Sequence, residues 1–459
     1  MEVNVDVPLR TLFWLQHHAM QSSEGPSFYK GENLMFRTRS SRRLGAPRGI
    51  FIWLATLLAV GLVASACTSG AVDSDDAAAD TDEESTDSGS DSGGDDEEAE
   101  DEDEPETVTE LQAGDPIEFQ VQTGVPASSV YHAEIVEWGE RVETMSGGRL
   151  VADVVPSGGV VGALEILDAV DAQVVPVGMA WSNYWTGKSD TAALFSNPPV
   201  GSTGMDQATS LAWMYDGGGL ELYERLYTED IGVNVRPLPV CPMGPDPFGW
   251  FDTPITSVAD VQGLKFRSPP GLPGLTFAEL GLEAIAMPGG DIVPSAQSGI
   301  IDGAEWISPA DDQALGLADV WNNYYLQGLH QSTDIGELLI NIDWWDELPA
   351  DLQEIIMVAT QATIVECQNL SITVNAQAVA DYQAQGINIY NTPPEFYDEF
   401  IAAWNSVAAE LEAENAFFKE VRDSQQAYAD QVMPYRLTIT ELYQNIGETY
   451  FPEKVGIDP

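Results

Sequence analysis

Positive charge is what this chain has least of. Its 459 residues hold 18 Lys and Arg against 74 Asp and Glu, a formal net charge of −56, which argues against a nucleic-acid or anionic membrane surface as partner. From Asp115 onward only eleven basic residues face fifty acidic ones, so a site for an anionic solute draws on a short list of cations. Histidine is nearly absent too. Only His132 and His330 lie in the folded part, too few for a zinc centre or a convincing Ser-His-Asp set. There is no nucleophile elbow and no phosphate loop, and no repeat of solenoid length. An enzyme reading is left with Asp246 and Glu305 as a general base and acid and nothing to support them; a chain that does no chemistry is expected. Cysteine is rare, with three in all. If Cys67 is set aside, Cys241 and Cys367 are an even pair in an oxidising compartment, and both a bridge and two buried thiols remain open.

The N-terminal third supplies an address. Arg37, Arg39, Arg42, Arg43 and Arg48 precede an apolar run over residues 49–66 that ends Val63-Ala64-Ser65-Ala66-Cys67. Small residues before a cysteine resemble a bacterial lipobox, which implies cleavage before Cys67 and its lipidation. Residues 1–66 therefore read as an export signal, with 1–34 as a gene-model extension before Met35. The competing reading is an uncleaved membrane anchor. Both export the remainder and hold it at the outer face of the cell membrane. Residues 67–114 read as the lipid-anchor cysteine and a disordered acidic tether. Between 68 and 110 there are twenty Asp or Glu and no Lys or Arg, so self-repulsion and low hydrophobicity favour an extended chain.

Beyond the tether the pattern alternates. Residues 117–122 read as a strand, 130–145 as an amphipathic helix, 150–155 as a strand, 162–170 as a helix and 174–179 as a strand. This βαβαβ opening predicts a parallel sheet with ligand sites at the carboxyl ends of its strands. The first α/β lobe is placed at 115–233, with later segments returning to it, and a second at 234–345, with a crossing strand at 334–342. Residues 346–459 are read as a helical C-terminal region packing on both lobes. The fold class expected is α/β, a two-lobed clamshell of the periplasmic-binding-protein kind with crossing strands and long C-terminal helices.

Several short motifs follow one another in order: Ser146-Gly147-Gly148-Arg149-Leu150, Asn183-Tyr184-Trp185-Thr186-Gly187-Lys188, Gly249-Trp250-Phe251, Gly263-Leu264-Lys265-Phe266-Arg267, Met287-Pro288-Gly289-Gly290, Asp302-Gly303-Ala304-Glu305-Trp306 and Gly328-Leu329-His330. In order and spacing they resemble the solute-binding proteins of TRAP (tripartite ATP-independent periplasmic) transporters, in particular the branch that binds small 2-oxo and 2-hydroxy acids.

The resemblance implies a receptor that closes on a small carboxylate and passes it to integral membrane subunits. A solute sensor for a membrane signalling partner is the alternative. Arg267 would grip the solute carboxylate, since a planar guanidinium matches two carboxylate oxygens. Glu305 and the Trp306 carbonyl would hold a cation. The third family ligand is a glutamine, and that register here carries Asp246. An added carboxylate favours a divalent ion over sodium, so Ca2+ is expected ahead of Na+.

Tyr184, Trp185, Trp250 and Trp306 are expected as walls of the solute site and His330 as a neutral hydrogen-bonding group, with Gln331 where the family has an acid. Ala310-Asp311 replaces an aromatic-Asn pair, which predicts a larger cavity and a solute bulkier than pyruvate. Homodimerisation through the C-terminal helices stays open.

Overall fold

The computed structural model describes residues 115–459; the export signal, Cys67 and the acidic tether lie outside the described residues. Eleven strands form two sheets. They are β1 (Ile117–Thr123), β2 (Leu150–Val155), β3 (Val177–Ala180), β4 (Val235–Met243), β5 (Gly249–Phe251), β6 (Lys265–Ser268), β7 (Glu283–Ala286), β8 (Gly303–Ala304), β9 (Asn323–Tyr325), β10 (Asp334–Asn341) and β11 (Asn388–Tyr390). The first sheet runs β2-β1-β3-β10-β4 and the second β11-β9-β5-β8-β6-β7.

β1, β2 and β3 pair in parallel, as the βαβαβ pattern predicts. Two later strands return to the first sheet. β4 opens the segment assigned to the second lobe, yet it pairs antiparallel with β10, and β10 with β3, so both belong to the first sheet. The physical reason is burial: every residue of β10 is buried, so it needs a neighbour on each edge. β4 carries Pro237, Pro239 and Pro242, which lack the N–H a central strand must donate, and it takes the sheet edge.

The β4–β10 ladder slips once. Ile335 faces Pro242 and Gly336 faces Val240, leaving Cys241 as an extra residue with φ of 41°, the left-handed turn of a bulge. Cys241 is joined in a disulfide to Cys367, in the middle of the helix Ala350–Gln385. That 36-residue helix is long and apolar enough to cross a membrane, but its inner face packs into the core. Leu352, Ile356 and Tyr382 share one apolar cluster with Phe119 and Val121 of the first sheet and Trp250 and Tyr324 of the second.

A second long helix, Glu395–Glu414, spans in the same way. Phe396 and Phe400 pack on Phe248 and Phe277 beside the second sheet, while Trp404, Val407 and Ala408 join the cluster of the first lobe. The helix Ala416–Tyr450 follows, and β11, an element missed in the C-terminal region, closes the second sheet against β9.

Candidate functional site

The strand ends converge. Trp181, Asn183 and Tyr184 follow β3, Asp246 follows β4, Arg267 lies on β6, Glu305 and Trp306 follow β8, and Gln331 and Asp334 lead into β10. Together with Pro269 and Ile307 they line one cavity of about 20 Å³, room for a water-sized species between closed walls.

Arg267 and Glu305 meet there, both almost fully buried. Nη1 of Arg267 donates to Oε1 of Glu305 at 2.5 Å and to the Glu305 carbonyl at 2.9 Å. Nε and Nη2 donate to the Met287 carbonyl at 3.1 and 3.0 Å, and the guanidinium lies 4.9 Å from the centre of the Trp306 ring. Packing fixes this set. A Cβ on Gly289 would stand 2.4 Å from the Trp306 ring, and one on Gly328 would stand 2.2 Å from the Asp246 carbonyl. The glycines of two sequence motifs thus hold the site's walls in place.

The electrostatics are lopsided. Asp246, Glu305 and Asp334 line the cavity with Arg267 as the one cation among its walls. Burial pushes the Asp246 carboxyl well above the usual range, the charges of Asp334 and Glu305 push it further, and Arg267 opposes them. Asp334 is raised by burial and then by Glu305. Burial raises the Tyr184 phenol as well, against the pull of Arg267. Oδ1 of Asp246, Oδ1 of Asp334 and Oε1 of Gln331 are buried with no hydrogen-bond partner, as is the Trp181 indole N–H.

Among the expected residues, Arg267, Tyr184, Trp306, Glu305 and Asp246 are brought together; three others are placed elsewhere. Trp185 turns away from the cavity to donate to Oε1 of Glu337 at 2.8 Å, in a buried cluster where Tyr223 and Tyr227 bond the same carboxylate. Trp250 stacks on Tyr324 with ring centres 4.0 Å apart and donates to Asp312 at 2.8 Å, so it is a core residue. His330 stands behind the site: its Nε2 is 3.7 Å from Oε2 of Glu305 and its ring packs on Phe277.

Ala310 and Asp311 do not line the cavity. Ser308 caps the helix Pro309–Leu315, its hydroxyl accepting from the Asp311 N–H and donating to Asp311 Oδ2, so Asp311 is spent on the helix start and does not widen the cavity. Trp181, Gln331 and Asp334 escaped the sequence reading. The available signals were Trp181 lying three residues before Tyr184 and an acid heading the strand Asp334–Asn341.

These residues fit a hard cation, because oxygens without partners face a negatively charged hollow. The three cavity acids do not bring one oxygen each within 4.8 Å of both others. Among the described residues, the trio with ligand oxygens mutually within 4.8 Å is Glu134, Glu137 and Glu366, where Arg141 pairs with Glu366 and supplies the balancing charge.

Comparison with known proteins agrees with this architecture. The chain is 31% identical over 348 residues to a monocarboxylate 2-oxoacid-binding periplasmic protein of Nostoc sp., covering 74% of this chain and 92% of that one. A TRAP transporter solute-binding protein from Bordetella bronchiseptica, solved with calcium and picolinate, superposes with a TM-score of 0.69 at 25% identity, covering 73% of this chain and 98% of the other. One from Colwellia psychrerythraea with calcium and pyruvate gives 0.67 at 26%, covering 72% and 99%. One from Pseudoalteromonas atlantica with sodium and pyruvate gives 0.67 at 25%, with the same coverage. The model for the bacterial extracellular solute-binding proteins of family 7 matches residues 121–415, well over half of the sequence, and the chain belongs to that family of transport receptors.

Proposed function

We propose that this chain captures a small 2-oxo or 2-hydroxy monocarboxylate together with a cation, Ca2+ or Na+, and delivers it to the membrane subunits of a TRAP transporter. The observation that carries the reading is the buried Arg267–Glu305 pair in a cavity where Oδ1 of Asp246, Oδ1 of Asp334 and Oε1 of Gln331 lack partners. The relatives' ligands, pyruvate and picolinate with calcium or sodium, are of the same chemical kind.

Arg267 is oriented by the Met287 carbonyl and the Trp306 face and would exchange its bond to Glu305 for the solute carboxylate. Glu305, released from the guanidinium, would turn to the cation with Asp246 and the Trp306 carbonyl. A bound cation supplies positive charge that offsets both the cavity acids and the solute. The Trp181 N–H has no partner in the protein and would donate to a solute oxygen.

The deciding experiment is native mass spectrometry of protein purified gently from its host, followed by calorimetric titration with pyruvate in Ca2+ or Na+. A co-bound acid and cation are expected. Protein that binds no small carboxylate in either cation removes the reading.

Two finer assignments accompany it. Lipid attachment at Cys67 is tested by labelled fatty-acid incorporation, expected in wild type and lost in Cys67→Ala. Homodimerisation is supported by Tyr435, Leu442, Tyr443 and Tyr450, all exposed on the helix Ala416–Tyr450. Sedimentation is expected to give a dimer that Tyr443→Glu dissociates.

A further inference from the structure

We infer that Asp334, together with the amide oxygen of Gln331, supplies cation ligands from the crossing strand β10, which makes the site one for a divalent ion that braces the β4–β10 pair. The inference rests on the cation reading above and adds two residues to it.

Asp334 is buried and its two oxygens are unlike. Oδ2 accepts from Nε2 of Gln331 at 3.0 Å, while Oδ1 has no partner. The same hydrogen bond fixes the Gln331 amide so that its Oε1, also buried, is left without a donor. Asp246 contributes a third such oxygen. All three residues line the one cavity. Leaving buried acceptors unsatisfied is costly, most of all for a carboxylate.

The sign of the charge narrows what satisfies them. The solute is itself an anion, and Arg267 already faces Glu305. A cation offsets both aspartates at once, and oxygen-only ligands suit Ca2+ or a similar hard ion. Two aspartates beside Glu305 also weight the site towards a double charge, because attraction grows with the product of the charges.

The backbone presents these oxygens as a unit. The Asp246 N–H donates to the Gln331 carbonyl at 3.0 Å, and Asp334 pairs in register with Met243. An ion held by Asp246 on one side and by Gln331 and Asp334 on the other therefore crosses from the end of β4 to the start of β10. Such an ion stabilises the receptor before any solute arrives.

The test uses the chelated, solute-free protein, titrated with CaCl2 and separately with NaCl, read by calorimetry and by thermal melting. Wild type is expected to bind Ca2+ in preference to Na+ and to melt at higher temperature with it. Asp334→Asn is expected to weaken Ca2+ binding by more than about tenfold. Without cation it melts no lower than wild type, since a buried like charge has been removed, and the Ca2+-dependent rise shrinks. Gln331→Leu is a second variant and is also expected to weaken Ca2+ binding.

A purely structural Asp334 gives the opposite pattern, a lower melting temperature without cation and an undiminished rise with it, and overturns the inference. So does a Ca2+ affinity within about twofold of wild type in both variants. If wild type binds neither ion, the cation reading fails and this one with it. If wild type binds Ca2+ and the variants match it, only the roles of Asp334 and Gln331 fall.

Discussion

Arg267 has two tasks that one substitution separates. Lysine keeps the charge but loses the planar fork, so Arg267→Lys is expected to weaken solute binding by about 100-fold in a calorimetric titration. Arg267→Met also strips the cation from a buried carboxylate and is expected to lower stability by about 3–5 kcal/mol in denaturant unfolding. A second residue-scale prediction concerns Glu337. Burial raises its carboxyl to about 7, although the bonds from Tyr223, Tyr227 and Trp185 pull the other way. Because the folded-state value lies above the ordinary glutamate value of 4.5, the fold holds more protons than the unfolded chain between those two values. Stability is therefore expected to fall as pH rises through that window, by up to about 3 kcal/mol, and to level off above it. Glu337→Gln should flatten part of this slope in unfolding curves taken from pH 5 to 8; an unchanged slope refutes the assignment. At this scale the sequence was readable where a charge stood at a strand end, as with Arg267 and Glu305. It was not readable for aromatics. Trp181 and Trp185 sit on one short turn, and only three-dimensional packing sends the first into the cavity and the second to Glu337. Asp334 was hidden for a related reason, since a lone acid at a strand head looks like a solvent-facing end.

Element boundaries came through well and partnerships less so. Residues 117–122, 130–145 and 150–155 declared their types by periodicity, and the observed elements begin at Ile117, Val130 and Leu150. Periodicity names a strand but not its sheet, which is why β4 was given to the wrong lobe. Its prolines were the available clue, since they fit only an edge. The bulge at Cys241 and the disulfide to Cys367 show what the misplacement conceals: the edge strand is tied covalently to the helix Ala350–Gln385. The bridge closes a loop of sequence separation 126, so the chain-entropy model assigns it a stabilisation of about 5 kcal/mol. Reduction, or the paired change Cys241→Ser with Cys367→Ser, is expected to shift the denaturant midpoint down accordingly. A midpoint insensitive to reductant contradicts this.

The described residues form a pair of α/β lobes laced by β4, β10 and two long helices. Closure on a ligand is expected to raise stability by about 2.7 kcal/mol when the ligand is present at 100 times its dissociation constant, measurable as a melting shift with pyruvate and Ca2+ added together. Trp181 and Trp306 line the cavity, so tryptophan emission should report the same event. The clamshell was visible in the sequence because alternating α/β patterning has few stable solutions. Its lacing was not visible, because connections over more than a hundred residues leave no local trace. One consequence of that lacing concerns the order of synthesis. β10 stands between β3 and β4 but is the last of the five strands in the first sheet to be translated. A nascent chain that ends before residue 334 has β4 without its neighbour and a sheet missing the interior strand that joins β3 to β4, so the first sheet stays unfinished while most of the protein is still being made, a useful property for a polypeptide that has to leave the cytoplasm.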